Sequence, residues 1–141
     1  AYIKVMERLG HAPQLIQVEG AGWNFEEIGF KEGSRVISEK RLASRTVLCS
    51  NDRLAIGFLS AAFESGLRVG LGADCDLRVA GHDDHTFSRF TCPSLTTISQ
   101  DYRSIAAGSV KTLLKMIESG ERPASRQVTL FDGRLIMRGS A

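Results

Sequence analysis

The chain has 141 residues, 43% of them apolar and 24% charged, with a net charge of +2. That length can bury one proper core, and that charge is too small for nucleic-acid binding by bulk electrostatics. No apolar stretch approaches the ~20 residues a spanning helix needs, which excludes a transmembrane helix.

Residues 1–9 read as a helix already under way, stopped by Gly10. No cap, strand or initiator Met precedes it, which predicts a fragment of a longer protein. Residues 15–18 (Leu-Ile-Gln-Val) predict a strand, followed by the glycine-rich loop Gly20-Ala21-Gly22. Asn24, with Glu27 three residues on, is a capping-box analogue opening a helix to about Lys40. Residues 46–49 predict the next strand, after which Asn51 or Asp52 caps a helix ending before Gly66. Strands are expected at 77–80 and 95–98. Residues 102–119 are amphipathic, with Ile105, Val110, Leu113, Leu114 and Ile117 on or near one face, and Gly120 and Pro123 stop them. Residues 128–131, the turn Asp132-Gly133 and residues 134–138 predict a hairpin. The alternation argues for α/β with a parallel sheet.

Three strands end in polar groups: at Asn51-Asp52, at Gly81-His82-Asp83-Asp84, and at Gln100 beyond Leu95-Thr96-Thr97-Ile98. In open α/β sheets, ligands bind in the crevice beyond the carboxyl ends of the strands. These ends carry acceptors and donors but no nucleophile, which is the layout of a binding site. Asn51 can donate and accept, as a hydroxyl-rich ligand requires, or can serve as a helix cap, or both. Asp52 reads as the structural partner. Asp83 and Asp84 could accept hydrogen bonds from vicinal sugar hydroxyls, or form a solvated turn. Trp23 could stack on a sugar or base, but on these residues alone a packing role is favoured. Tyr102 reads, on these residues alone, as part of a plain strand-to-helix linker capped by Asp101.

Catalytic and metal chemistry find little support. His82-Asp83-Asp84-His85 invites a metal reading, but only His11 remains elsewhere, in a turn-like Gly-His-Ala-Pro. A phosphoacceptor receiver domain would need a Lys soon after residues 95–98, and none follows. No Gly-x-Ser-x-Gly, P-loop or dinucleotide fingerprint occurs, so neither an enzyme nor a cofactor is expected. Cys49, Cys75 and Cys92 are odd in number, without metal-type spacing, as free thiols of a reducing cytosol would be. The helix after Asp52 is apolar nearly all round, which implies a second buried face against another lobe or subunit.

Several runs together carry a family resemblance. Asn51-Asp52 with Ala55 and Gly57, Gly81-His82-Asp83-Asp84, Leu95-Thr96-Thr97 with Gln100, and Leu135 with Arg138 and Ser140 resemble, in order and spacing, the effector-binding half of lactose-repressor-type (LacI/GalR) regulators. The resemblance runs over essentially the whole chain. It implies a doubly wound parallel sheet forming the C-terminal lobe of a periplasmic-binding-protein-like (type I) fold, with elements crossing to the other lobe. Residues 1–99 would be that lobe without its first strand. Residues 100–141 would be a crossover helix and terminal strands shared with the N-terminal lobe. The resemblance puts Trp23, Asn51, Asp83, Gln100 and Tyr102 on a small-molecule effector, a sugar or small polar metabolite, and gives Asp84 a structural role. It puts Ile56, Ser60 and Phe63 in a homodimer interface. It implies a cytoplasmic repressor that reaches DNA only through a headpiece absent from this chain, with no membrane partner. The loop from Gly70 to Asp76 is longer than the family usually shows. The runner-up is an exported sugar-binding protein of a transport system. A third reading is a small hydrolase using His82 and Asp83.

Overall fold

A computed structural model describes residues 2–18, 22–121 and 125–141. Helix α1 (Tyr2–Arg8) ends at Gly10, whose φ of +74° suits glycine. Helix α2 (Phe25–Ser38) leads to strand β1 (Thr46–Leu48), and α3 (Asp52–Glu64) leads to β2 (Arg78–Ala80). A 3-10 turn (Thr86–Arg89), strand β3 (Thr97–Ser99), helix α4 (Tyr102–Ser119) and strand β4 (Arg134–Ile136) complete the order.

β1 and β2 are parallel, with Val47 opposite Val79. A parallel bridge between Ala80 and Thr96 continues the sheet toward β3, and β4 lies antiparallel to β3. The expected α/β fold with a parallel sheet is therefore present. The core gathers Val36 from α2, Ala55, Phe58, Leu59 and Ala62 from α3, and Leu77, Val79 and Leu95 from the sheet region.

Two predicted strands are not formed. Residues 15–18 have no ladder partner, and Leu15, Ile16 and Val18 are exposed. An apolar run without a neighbouring strand cannot pair its backbone groups. The glycine-rich loop after it falls mostly on residues 19–21, outside the described residues, as does Pro123. The terminal hairpin is also absent: residues 128–131 form no strand, and β4 pairs with β3 instead. Long-range bonds draw the end of the chain to the sheet. Ser140 Oγ donates to the Val79 carbonyl at 2.6 Å and accepts from the Thr96 N–H at 2.9 Å, and Val79 N–H donates to the Ser140 carbonyl.

The apolar excess of α3 has a local cause. Its second buried face meets α2 within the same chain, so the pattern alone does not require another lobe or subunit. A Cβ on Gly29 would overlap the Leu54 carbonyl, and one on Gly57 would overlap the Glu26 carbonyl. Arg53 clamps the crossing by donating Nε and Nη2 to the two Glu26 carboxylate oxygens, each at 2.6 Å. That bond holds the Glu26 carboxyl below its ordinary range, against a smaller opposing effect of burial. The sign follows: the pair stabilises fully above the ordinary carboxylate value, and its contribution is lost as pH falls through the lowered one.

A helical Gly→Ala change is ordinarily stabilising by roughly 0.5–1 kcal/mol. Gly57→Ala should instead destabilise by about 1–3 kcal/mol, because the new methyl meets backbone that cannot rotate away. A lowered urea midpoint with an unchanged slope checks this.

Candidate functional site

The strand ends converge as expected. Asp83 and Asp84 follow β2 with φ of +118° and +53°, a region L-residues seldom adopt. Such a turn persists only if its surroundings hold it. The Asp83 N–H donates to the Ile98 carbonyl at 2.8 Å, and its carbonyl accepts from the Tyr102 hydroxyl at 2.8 Å. Asp83 Oδ1 accepts from Gln100 Nε2 at 2.6 Å and lies 2.9 Å from His82 Nδ1. Asp83, Gln100 and Tyr102 are thus one hydrogen-bonded cluster. Burial, then the Asp83, Asp52 and Asp84 carboxylates, raise the Tyr102 phenol above its ordinary pKa, so it stays a donor.

Asn51 caps α3: its Oδ1 accepts from the Leu54 N–H at 2.8 Å. The next residue donates its N–H to the His82 carbonyl at 2.8 Å, which keeps Asn51 beside the acidic turn. Asn24 occupies the cap position of α2 but makes no capping bond with its side chain, which instead donates to Glu27 at 3.5 Å. Trp23 lies outside the hydrogen-bonded cluster. It is 79% exposed and edge-on to Phe25, whose ring is covered by Arg53.

The role of Asp52 is larger than the sequence discloses. Its side chain is fully buried. Oδ1 accepts from Thr97 Oγ1 at 2.6 Å, while Oδ2 accepts from Ser88 Oγ at 2.6 Å and the His85 N–H at 2.8 Å. One carboxylate therefore joins α3, the 3-10 turn and β3. Gly81 is required beside it, since a Cβ there would overlap Asp52 Oδ1. Asp84 is structural too: it accepts from Arg138 Nη2 at 2.6 Å, and Arg138 Nη1 reaches the Leu95 carbonyl at 2.8 Å.

Asp84 faces Arg138, and His85 Nδ1 accepts from the Phe87 N–H. Among the described residues, no group of three or more His, Cys, Asp or Glu side chains could hold a metal ion. Cys49, Cys75 and Cys92 are free, and burial pushes the Cys49 thiol up to about 12.

On α3, Ile56 is half-buried, Ser60 is exposed and Phe63 is 79% exposed. The sequence reading missed Phe87 and Phe90, which are exposed on the 3-10 turn and its end. Two aromatics within the polar run Thr86 to Thr91 were the available signal. Asp52 ties that turn to α3. Helix α4 has no buried residue, and Val110, Leu113, Leu114 and Ile117 are exposed.

The family model of the periplasmic binding protein-like domain matches residues 1–141. The lactose operon repressor of Escherichia coli is 39% identical over 88 residues, covering 62% of this chain and 23% of that protein. The chain belongs to the lactose-repressor-type (LacI) family of periplasmic-binding-protein-like domains. Two solved structures of this LacI family have closely similar folds. The lac repressor dimer bound to operator and the anti-inducer ONPF superposes with a TM-score of 0.76 at 32% identity, over 97% of this chain and 44% of that one. A LacI-family regulator from Arthrobacter sp. FB24 in complex with lactose gives 0.76 at 26% identity, over 97% and 47%. The chain thus spans less than half of each of these LacI-family proteins. No described helix is long and apolar enough to cross a membrane.

Proposed function

We propose that this chain is the effector-sensing and dimerisation region of a cytoplasmic DNA-binding transcription repressor. The carrying observation is the acidic turn, where Asp83 is fixed by Gln100, Tyr102 and Ile98 while its side chain stays 37% exposed. A carboxylate so placed accepts hydrogen bonds from hydroxyls, so a sugar or similar polar metabolite fits. Asn51, Gln100, Tyr102 and Trp23 complete the contact set. Residues 1–99 form the C-terminal lobe. Residues 100–141 cross to the N-terminal lobe, which covers the bare face of α4.

The mechanism is binding. An effector with different affinities for two lobe arrangements shifts their populations, and so the DNA affinity of a headpiece beyond this chain. The transport-protein reading is disfavoured because the similar proteins are transcription regulators. Calorimetric titration of the full-length protein with a panel of mono- and disaccharides, lactose first, tests the reading. Saturable binding of one sugar supports it, and no binding across the panel overturns it.

Assembly is a two-fold dimer through Ile56, Ser60 and Phe63 of α3, extended by the aromatics of the neighbouring 3-10 turn. Ile56→Asp should convert dimer to monomer, because an unpaired charge buried in an interface is strongly unfavourable. Light scattering at micromolar concentration reads the change. A monomeric unmutated protein would remove the interface.

A further inference from the structure

We infer that His82 is a positioning residue of the effector site: with Gln100 it occupies Asp83 Oδ1, so that Asp83 meets the effector through Oδ2 alone. This rests on the sugar-binding reading of Asp83. His82 lies between Gly81 and the two acids, and its side chain is 40% exposed. Its Nδ1 lies 2.9 Å from Asp83 Oδ1 and 3.3 Å from Gln100 Nε2. The shorter contact is to an atom that can only accept, so Nδ1 carries the proton and donates. Gln100 Nε2 donates to the same oxygen at 2.6 Å. Two donors saturate the outward lone pairs of Oδ1. Among the described residues, none donates to Oδ2.

The arrangement has a consequence for ligand chemistry. A carboxylate with both oxygens free can straddle two hydroxyls with one bond to each oxygen. With Oδ1 engaged, two adjacent hydroxyls converge on Oδ2, which has lone pairs for both. The imidazole also fixes the carboxylate plane, so little side-chain freedom is lost on binding. The favoured effector is a neutral molecule with vicinal hydroxyls; an acidic one would set its own charge against Asp83.

The test is calorimetry on the full-length protein with lactose, or with the tightest-binding sugar of the panel if lactose does not bind. Wild type is compared with His82→Asn, which keeps an N–H donor near the Nδ1 position, and with His82→Phe, which keeps a ring without a donor. His82→Phe should weaken binding about tenfold, while His82→Asn stays within about threefold of wild type. Thermal midpoints should be alike, since the His82 side chain is 40% exposed. If the Phe variant loses its fold, His82→Ala replaces it. Equal affinity in wild type and the donor-free variant overturns the inference alone, as does an Asn variant no better than the Phe one. A wild-type protein that binds no sugar overturns the sugar-binding reading, and this inference with it.

Discussion

Asp52→Ala should cost about 3 kcal/mol or more of folding stability. The change strands the Thr97 and Ser88 hydroxyls and the His85 N–H, all donors to that carboxylate. Each buried donor left unsatisfied costs roughly 1–3 kcal/mol, and the losses overlap because the groups share one site. Asp52→Asn should lose less, since its amide oxygen still accepts, although its NH₂ faces groups that themselves donate. Urea denaturation measures both. A loss below about 0.5 kcal/mol for Asp52→Ala, the range of an ordinary surface substitution, would show that the bonds are not what holds the turn.

Asp83→Ala should abolish effector binding while the protein stays folded. Hydrogen bonds to a charged group contribute roughly 1.5–3 kcal/mol each, so affinity falls at least tenfold to a hundredfold. The fold survives because the turn is also held through the Asp83 main chain, by Ile98 and Tyr102. Asp83→Gly is the sharper control. It removes the same carboxylate and relaxes the φ of +118°, so it should leave stability equal or higher while binding is still lost. Calorimetry with the sugar that the wild type binds decides the matter, and unchanged affinity in either variant removes Asp83 from the site.

Local patterns were legible in the sequence where local physics determines structure. Helix α4 occupies the residues its amphipathic spacing predicts, with Asp101 capping it and Gly120 ending it in the left-handed conformation. Asn51 caps α3 as its position before an apolar run suggests. Asp83, Gln100 and Tyr102 come together because each sits at or just beyond a strand end. The misses all involve partners distant in sequence. Residues 15–18 have a strand-like composition but no neighbour to pair with. The Asp132-Gly133 turn lost to β3–β4 pairing and to the Ser140 and Arg138 bonds, which span 42 to 61 residues. Asp52 looked like a cap alternative because its partners, Ser88 and Thr97, lie 36 and 45 residues away. The packing of α2 on α3 was not legible either, because Gly29 and Gly33 of α2 carry no sign in the sequence that a helix packs on them.

Under the proposed function, effector binding at the acidic turn is coupled to DNA binding. The coupling is tested by measuring how tightly the full-length protein binds DNA sites selected from a random-sequence pool, with and without a saturating concentration of the sugar found by calorimetry. Allosteric coupling of roughly 1–3 kcal/mol predicts a change in DNA affinity of about fivefold to 150-fold, with no change for the Asp83→Ala protein. Identical DNA affinity with the sugar bound and absent, in a wild-type protein shown to bind that sugar, would rule out the coupling.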